Sequence, residues 1–413
     1  MIHRSDLPPV VRAVLNKLPG LAGHESAAPM LPRECYTSPE FFDFEQKLVF
    51  ARSWICVGRV EQVAQPGDYL APTVAGEPLL IVRGEDGAVR AMSAVCQHRG
   101  QLIVTEAGST GRSRAFTCPL HQWSYGLDGR FLGGPRIERE TLDCLRASVR
   151  LPEVRVELWH GFIFVNLDAD AASLAPGLAK LEPFWAGYDD AGLIAVPPAP
   201  ADKPLPWNWK IHAENFTDAY HPEFVHIKTH DFAPSVHPDG GVVFTAMSET
   251  DNAIVRSVPL LQPDGGMMGD GWGLPPAFPP IAALSPAQRK RLTFAMLPPS
   301  MTLMFAPGAV AYQLITPIGV DATLASNDRV TAGGWLLPRS TIDLPDFKER
   351  TDRVREGAKK IWQQDIPVNL GVQAGKRSRF VPEGRYMPLE TTLVQFNAWL
   401  LRAYRTAWAA ASE

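Results

Sequence analysis

The sequence is poor in cysteine. Five cysteines are spread over 413 residues, and an odd, sparse set of this kind argues against a disulfide framework and for a reducing compartment. No apolar run approaches the ~20 residues that a membrane-spanning helix requires, and the N-terminus lacks the apolar core of a signal peptide. We therefore expect a soluble, cytoplasmic protein.

The sequence also lacks long runs of like charge, and its formal net charge is only −4 at pH 7. This balance gives no reason to expect nucleic acid or an anionic membrane as a partner. No Gly-x-Gly-x-x-Gly fingerprint follows a predicted strand, so we do not expect the chain itself to bind NAD(P)H or a flavin. Hydrophobic residues nevertheless make up 46% of the chain, which allows the cores of two or three domains.

Short apolar runs separated by glycine and aspartate predict β-structure from about residue 45 to 156. Leu79–Val82 is one such run, and Asp86-Gly87 and Asp128-Gly129 are predicted tight turns. Residues 161–166 are typical of a buried strand, which we expect to lead out of this domain.

The remaining segments mix helical and strand patterns. Residues 10–18 predict a short amphipathic helix, and four apolar residues from Leu389 to Leu400 keep a helical period near the C-terminus. Residues 197–206 are a proline-rich connector, and residues 263–280 predict a long loop.

Cysteine and histidine occur together in two short segments. Cys96-Gln97-His98-Arg99-Gly100 is followed by Cys118-Pro119-Leu120-His121-Gln122-Trp123, with nineteen residues between His98 and Cys118. Two cysteines and two histidines are a common zinc set, but zinc fingers usually supply both cysteines first, whereas each segment here supplies one of each. The mixed order suits a two-iron, two-sulfur cluster in which one iron takes both thiolates and the other takes both imidazoles.

Cys96, His98, Cys118 and His121 are therefore the predicted cluster ligands. The alternative is a pair of buried thiols and a pair of ordinary core histidines, and the repetition of the pattern on two predicted hairpin tips argues against it. Gly100 would permit a close approach of the backbone, and Trp123 would shield the cluster from water. The other cysteines, Cys35, Cys56 and Cys144, are predicted to be small core residues.

A second set of polar residues follows the connector. Asn208-Trp209-Lys210 opens a predicted helix that runs to His221, so that Asp218 and His221, three residues apart, would share one face. Pro222 discourages further regular helix, and a break there would turn His226 back toward His221.

A carboxylate to complete this set comes from further along the chain. Asp365 continues an apolar helical stripe, and Pro367 predicts that it lies at the helix end. A carboxylate on an inward face is costly unless it is paired or bound to a metal. His221, His226 and Asp365 would form a two-histidine, one-carboxylate iron site with positions left open for oxygen and substrate.

The alternatives for these residues remain open at this stage. Asp365 could be a helix-end carboxylate that meets solvent or an arginine, and the histidines could belong to a polar surface cluster. The same region contains His212, His230 and His237, so some of its histidines are incidental.

The segment from 224 to 310 is predicted to line a substrate pocket, although any one of its apolar residues is more often ordinary core. Its candidates are Phe224, Phe232, Phe244, Trp272, Phe278, Phe294, Met296, Met304 and Phe305. Such a lining suits an aromatic substrate, and an aromatic cage would equally suit a quaternary ammonium group. Arg256, Arg289 and Arg291 are undecided candidates for binding a carboxylate.

These motifs resemble those of the large (alpha) terminal oxygenase subunit of Rieske non-haem iron oxygenases, the aromatic-ring-hydroxylating dioxygenase family, over about residues 45 to 400. The matching motifs are Cys-x-His-Arg-Gly, Cys-Pro-x-His-x-Trp, Asn-Trp-Lys, Glu-Asn, Asp-x-Tyr-His-x₄-His, Gln364-Asp365, Val372-Gln373-x-Gly375, Gly384-Arg385 and Pro388-Leu389-Glu390. There are two departures: Leu120 stands where an aromatic residue is common, and Gln122 where many members have glycine. We expect altered packing there and no loss of the cluster.

The resemblance implies an α+β chain with an all-β Rieske [2Fe-2S] domain of antiparallel sheets and a helix-grip (START-like) catalytic domain, an antiparallel sheet wrapped around a helix. The expected boundaries are 1–44 for an N-terminal segment packing on the catalytic domain, 45–156 for the Rieske domain and 157–413 for the catalytic domain. The implied cofactors are a Rieske [2Fe-2S] cluster and Fe(II).

The implied function is that of a terminal oxygenase, which uses O₂ and electrons from an NAD(P)H-dependent reductase, with or without a ferredoxin, to hydroxylate a small aromatic substrate. Alternatives are a monooxygenase that demethylates a methylamine or quaternary ammonium compound, and an electron carrier without oxygenase chemistry. The family further implies a head-to-tail homotrimer, with or without a small beta subunit. In that assembly Asp218 would bridge His221 at the iron to His121 of the adjacent subunit's cluster.

Overall fold

The computed structural model describes residues 6–17, 30–106, 108–196, 204–226, 233–236, 240–261, 276–325 and 334–410. The described chain divides into two compact units. Residues 46–174 form the first unit, and the described residues before 46 and after 174 form the second. Helices and antiparallel sheets occur in both, which confirms the predicted α+β class. Within these ranges, no helix has both the length and the apolar character needed to cross a membrane.

Helices and strands are numbered in chain order. The α-helices are α1 Pro9–Lys17, α2 Glu34–Thr37, α3 Pro39–Leu48, α4 Arg139–Ser148, α5 Leu174–Leu178, α6 Glu182–Trp185, α7 Trp209–Thr217, α8 Pro222–Val225, α9 Arg339–Ile342, α10 Phe347–Lys376 and α11 Thr391–Ala410. The strands are β1 Ile55–Arg59, β2 Asp68–Leu70, β3 Thr73–Val74, β4 Glu77–Arg83, β5 Val89–Ser93, β6 Thr110–Arg112, β7 Phe116–Thr117, β8 Ser124–Tyr125, β9 Phe131–Gly133, β10 Glu153–Trp159, β11 Phe162–Asn166, β12 Leu193–Val196, β13 Val243–Phe244, β14 Ile254–Pro259, β15 Arg291–Leu297, β16 Met301–Ala306, β17 Ala309–Gly319, β18 Ala322–Ala325 and β19 Gly334–Pro338.

The first unit is built on two antiparallel sheets. The larger has the order β1-β11-β10-β5-β4-β2-β6, with β3 paired to β4, and the smaller has the order β7-β8-β9. The predicted run Leu79–Val82 is the buried centre of β4. Gly87 and Gly129 in the two predicted turns have φ of 79° and 80°, a backbone region that glycine adopts without steric cost.

The predicted strand at 161–166 corresponds to β11, the last strand of the first unit. It pairs with β1 on one side and β10 on the other, and all five of its residues are buried. The compact unit consequently extends to Leu174, whereas the sequence placed the domain boundary at 156.

None of the five cysteines, all of which lie in the described ranges, forms a disulfide, and Cys35 and Cys56 are buried as predicted. The prediction for Cys144 was wrong, because this residue is exposed on α4. Leu142 and Leu145 lie on the face of α4 that packs against the apolar core of the first unit. Cys144 is two positions from Leu142, about 200° around the helix, and therefore faces away from that core.

The second unit contains an antiparallel sheet of order β12-β19-β17-β16-β15-β14-β13, with β18 paired to β17. Helix α7 packs against β15 and β17 of this sheet and also against α10 and α11. Most of α7 is consequently buried, including the polar side chains of Lys210 and His212. A sheet that wraps around a buried helix is the arrangement predicted for the catalytic domain.

The two terminal helices were also predicted correctly. The amphipathic pattern at 10–18 gives α1, and the pattern from Leu389 to Leu400 gives α11, preceded by the 3₁₀ turn Pro388–Glu390. The predicted connector at 197–206 and loop at 263–280 lie mostly outside the described residues.

Candidate metal centres

The first cysteine–histidine segment forms a tight loop after β5. The backbone N–H of Cys96 donates to the carbonyl of Gln101 at 2.9 Å, and the N–H of Gly100 donates to the carbonyl of Cys96 at 3.0 Å. Gly100 has a φ of 75°, so the loop requires a left-handed residue at this position. The turn carries Cys96 and His98 on one hairpin tip, as the sequence predicted.

The second segment repeats this geometry between β7 and β8. Here the N–H of Cys118 donates to the carbonyl of Trp123 at 2.8 Å, and the N–H of Gln122 donates to the carbonyl of Cys118 at 3.0 Å. Gln122 has a φ of 57° and is the counterpart of Gly100. Gln122 therefore keeps the left-handed turn without glycine, at a cost of about 1–2 kcal/mol. The other departure, Leu120, is 50% exposed.

The two loops bring their imidazoles together. The rings of His98 and His121 lie 4.7 Å apart between centroids, and Trp123 stacks on His98 at 4.6 Å. The two cysteines lie deeper, among the buried residues of the first unit's core. The thiols are thus buried while the imidazoles lie nearer the surface, as a cluster with one thiolate-bound and one imidazole-bound iron requires.

An unsatisfied polar atom indicates that this site is built for a bound group. Nδ1 of His121 is buried and has no hydrogen-bond partner among the described residues. A buried polar nitrogen without a partner costs about 1–3 kcal/mol. A metal bound at this nitrogen would remove that cost, so the residues present fit a Rieske cluster.

The second predicted site begins at the end of α7. Asn208 caps this helix by accepting from the N–H of Lys210 at 3.1 Å, as the opening motif predicted. The prediction that the helix continues to His221 was wrong: α7 ends at Thr217, and Asp218 has extended backbone angles. The Asp218 carboxylate accepts from the backbone N–H of Tyr220 at 2.6 Å, and this local turn competes with the helix.

The predicted proximity of Asp218 and His221 therefore arises through a turn and not through a shared helix face. Nδ1 of His221 lies 2.9 Å from Oδ2 of Asp218. The short helix α8 then starts at Pro222, which is tolerated as a first helical residue, and ends before His226. This single turn brings the His226 ring to 5.2 Å from the His221 ring.

Asp365 was predicted at a helix end but lies in the interior of α10, which continues through Pro367 to Lys376. Pro367 removes one backbone hydrogen bond from α10. The packing of α10 against α7 stabilises the helix despite that loss, so it continues beyond the proline. Asp365 is only 5% exposed. Its Oδ1 lies 3.1 Å from Nε2 of His226 and 3.6 Å from Nε2 of His221.

One potential ligand atom from each of His221, His226 and Asp365 falls within 4.8 Å of the others, so the three predicted residues do converge. Asn215 donates from its amide to Oδ1 of Asp365 at 3.1 Å and holds the carboxylate in place. Burial acts to lower the pKa of His226, but the contacts with Asp365 and Gln364 outweigh it and raise that pKa. Once deprotonated, two imidazoles together with one carboxylate are a suitable donor set for Fe(II).

Sequence reasoning gave no role at this site to three residues that support it. Asn215 and Gln364 belong to the matched motifs, and they contact Asp365 and His226 respectively. Arg256 was one of three undecided arginines. It is buried and donates from Nε to the carbonyl of Thr217 at 2.9 Å, immediately before Asp218. Desolvation lowers the pKa of Arg256 to about 10, and its Nη1 has no hydrogen-bond partner among the described residues.

The other arginines and histidines have different roles. Arg291 donates to Ser257 and to the carbonyl of Gly241. His212 is buried with Nε2 at 2.8 Å from the side-chain oxygen of Gln313, so it is an incidental core histidine with respect to the metal site. His230 and His237 lie outside the described residues.

The predicted pocket residues fall into separate groups. Phe278, Phe294 and Met304 belong to one apolar cluster with Trp335. Phe305 packs instead on the rings of Trp185 and Tyr188, and Phe224 is 62% exposed. Met296 is buried on β15, and Phe244 is partly buried on β13. Phe232 and Trp272 lie outside the described residues.

Comparison with known proteins is consistent with this geometry. A family model described as the ring hydroxylating alpha subunit (catalytic domain) matches residues 188–406, and a Rieske [2Fe-2S] domain matches residues 53–152. The oxygenase subunit of carnitine monooxygenase from Acinetobacter baumannii is 33% identical over 217 residues, 51% of this chain and 56% of the relative. Benzene 1,2-dioxygenase subunit alpha from Pseudomonas putida is 34% identical over 203 residues, 48% of this chain and 44% of the relative. The matched region thus spans about half the length of these curated relatives.

Solved structures share the fold over almost the whole chain. A quaternary ammonium Rieske monooxygenase in complex with an inhibitor superposes with a TM-score of 0.72 at 22% identity, covering 94% of this chain and 98% of that one. Naphthalene 1,2-dioxygenase from Rhodococcus sp. bound to indole gives a TM-score of 0.72 at 18% identity, covering 98% of this chain and 99% of that one. The two domains imply a Rieske [2Fe-2S] cluster and a non-haem Fe(II). Because the catalytic-domain model covers just over half of the sequence, the chain belongs to the ring-hydroxylating alpha subunit family and carries a Rieske domain ahead of its catalytic domain.

Proposed function

We propose that this chain is the terminal oxygenase component of a Rieske non-haem iron oxygenase system. It would use O₂ and electrons from an NAD(P)H-dependent reductase to hydroxylate a small organic substrate. The observation that carries the proposal is the convergence of His221, His226 and Asp365 in the second unit. An electron carrier needs only the cysteine–histidine site of the first unit, and it has no use for a second, buried donor set.

The proposed roles follow from the donor atoms. Cys96, His98, Cys118 and His121 would hold the cluster, and His221, His226 and Asp365 would hold Fe(II). When bound, these groups supply single electrons and the activation of O₂. Asp218 would act through His221: its carboxylate would accept a hydrogen bond from Nδ1–H of that imidazole, 2.9 Å away, and so leave Nε2 available to bind the metal.

We favour an aromatic substrate. The apolar cluster that includes Phe278, Phe294 and Trp335 extends along the interior of the second unit, and Phe216 of α7 packs against it. The residue before Phe216 on α7, Asn215, donates to Asp365, so Phe216 stands one helix position from a contact of the proposed metal site. Benzene 1,2-dioxygenase is among the relatives that support this reading.

The second candidate is monooxygenation, including N- or O-demethylation of a methylamine or quaternary ammonium substrate. The carnitine monooxygenase relatives and the quaternary ammonium monooxygenase fold favour it. Turnover under ¹⁸O₂ with a surrogate reductase separates the two candidates. Two labelled oxygens in one product indicate dihydroxylation. One labelled oxygen indicates monooxygenation; in a demethylation it leaves with the methyl carbon as formaldehyde, which must be trapped before its oxygen exchanges with water.

The proposed partners are a separate reductase, with or without a ferredoxin, that docks near His98 and His121. His98 is exposed and His121 partly so, which gives an electron donor short access to the imidazole-bound iron. We further propose a head-to-tail homotrimer, with or without a small beta subunit. A purified chain that oxidised NADH unaided, with bound flavin, would exclude the need for a reductase.

Iron analysis tests the central proposal. A carrier should hold about two irons per chain, and an oxygenase about three. We expect His226→Ala to lose one iron and all activity while the visible spectrum of the cluster is retained. His160→Asn is the control, because it removes a histidine outside both sites and asparagine tolerates the φ of 44° found there. Activity that survived in His226→Ala would show that the assigned donor set is wrong.

A further inference from the structure

The two histidines of the second site are backed by chemically different partners. Nδ1 of His221 lies 2.9 Å from the Asp218 carboxylate, whereas Nδ1 of His226 lies 3.0 Å from Oε1 of Gln364, a neutral amide. In both rings it is Nε2 that faces Oδ1 of Asp365. Each imidazole therefore presents the same nitrogen to the centre of the site and the other nitrogen to a partner behind it.

This orientation determines where the proton must lie. An imidazole that binds a metal through Nε2 carries its proton on Nδ1, and that N–H needs an acceptor. The Gln364 amide offers an oxygen that accepts and a nitrogen that only donates. A metal-binding His226 thus requires the Gln364 oxygen to face the ring, which is the orientation found.

The position of Gln364 on α10 strengthens the argument. Gln364 and Asp365 are consecutive, and they contact opposite nitrogens of the same imidazole: Asp365 at Nε2 and Gln364 at Nδ1. One helix turn consequently supplies both a ligand and the residue that orients a second ligand 138 positions earlier in the chain. Any rotation of the His226 ring would break both contacts.

We infer that Gln364 is a positioning residue for the metal site: it fixes the tautomer and the ring orientation of His226. Because an amide oxygen carries no formal charge, it also leaves His226 a weaker electron donor than His221, whose partner is a carboxylate. This inference rests on the proposed function, since it assumes that His226 binds the iron. It goes further in assigning unlike donor strengths to the two imidazoles.

The test measures metal affinity, with Co²⁺ as a spectroscopic probe added to protein whose mononuclear site has been stripped and whose cluster is intact. We expect Gln364→Leu to weaken Co²⁺ binding about 10–100-fold, because Nδ1–H of His226 loses its acceptor. Gln364→Glu keeps an acceptor and adds negative charge, so it should bind Co²⁺ at least as tightly as the wild type. Gln363→Leu is the matched control: the same substitution one position earlier, at an exposed site on α10, should leave the affinity unchanged.

The variants distinguish orientation from packing. If Gln364 only filled space, the glutamate of Gln364→Glu would disturb the packing as much as the leucine of Gln364→Leu. Both variants would then bind Co²⁺ more weakly than the wild type. Loss of a residue that orients a metal ligand usually costs about 10–100-fold in metal affinity. If Gln364→Leu bound Co²⁺ within about twofold of the wild type, the inference would be overturned. Should the wild type itself bind no ion at His221, His226 and Asp365, the proposed function fails instead. The visible spectrum of the cluster, recorded on every variant, shows that the protein remains folded.

Discussion

Asp218 is the residue on which the geometry of the second site depends most. It leaves α7 in an extended conformation, and its two carboxylate oxygens accept from the backbone N–H groups of Tyr220 and His221 and from the His221 ring. The carbonyl just before it, that of Thr217, is held by Arg256 at 2.9 Å and by Thr392 at 2.7 Å. Asp218 therefore has little freedom to move.

We expect Asp218→Asn to keep both metal centres filled but to lower turnover by about 10–100-fold, the usual range for a residue that orients a ligand. Asparagine has one acceptor oxygen where aspartate has two, so it cannot satisfy the N–H of Tyr220 and Nδ1–H of His221 together. Steady-state rates and iron counts on the same preparation measure this. Normal turnover at a full iron count would show that the Asp218–His221 contact plays no part in the reaction.

The individual site residues were easier to predict than the elements that carry them. The order of cysteine and histidine is itself chemical information, so Cys96, His98, Cys118 and His121 could be chosen without knowledge of the fold. Gln364 could not, because nothing in the sequence indicates which side chain will meet Nδ1 of His226 from 138 positions away. Contacts of that range are set by how α8 and α10 pack, which no local pattern encodes.

At the scale of elements, helix ends were the main source of error. Pro367 was read as ending a helix that in fact continues to Lys376, and Asp218 was placed inside a helix that its own side chain helps to end. Proline and aspartate bias local structure by only a few kcal/mol. Tertiary packing of α10 outweighs the tendency of Pro367 to end that helix. Packing around the end of α7 accommodates the turn that begins at Asp218.

Helix α7 is anchored by a buried ion pair. Nζ of Lys210 lies 2.9 and 2.8 Å from the two carboxylate oxygens of Glu45 on α3, and both side chains are 0% exposed. Trp209 and Tyr404 donate to the same carboxylate at 3.2 and 2.5 Å. The Glu45 carboxylate of α3 thus accepts from Trp209 and Lys210 of α7 and from Tyr404 of α11, and so connects the three helices.

We expect Glu45→Gln to lower the free energy of unfolding by about 3–5 kcal/mol, because it leaves the Lys210 charge buried without a counter-ion. Denaturant unfolding followed by circular dichroism measures the loss. Glu356→Gln on α10 is the control: its contact with Lys359 is exposed and 3.8 Å long, so its loss should cost less than about 1 kcal/mol. Equal losses in the two variants would mean that the Glu45–Lys210 pair contributes no more than a surface contact.

For the whole molecule, the proposed head-to-tail trimer makes a quantitative prediction. Each active site would take its electron from the cluster of the neighbouring chain, so one chain's Cys118→Ser defect should be compensated by a neighbour with an intact cluster. Conversely, a chain with His226→Ala should still serve its neighbour as an electron donor.

Neither variant alone should turn over. In trimers assembled at random from equal amounts of both, a site works when its own iron is intact and its donor's cluster is intact, which gives about one quarter of the wild-type rate. If electrons passed instead within a single chain, every mixed trimer would be inactive, since no chain then carries both centres. Metal analysis of the mixture, and mass spectrometry to show that mixed trimers have formed, complete the experiment.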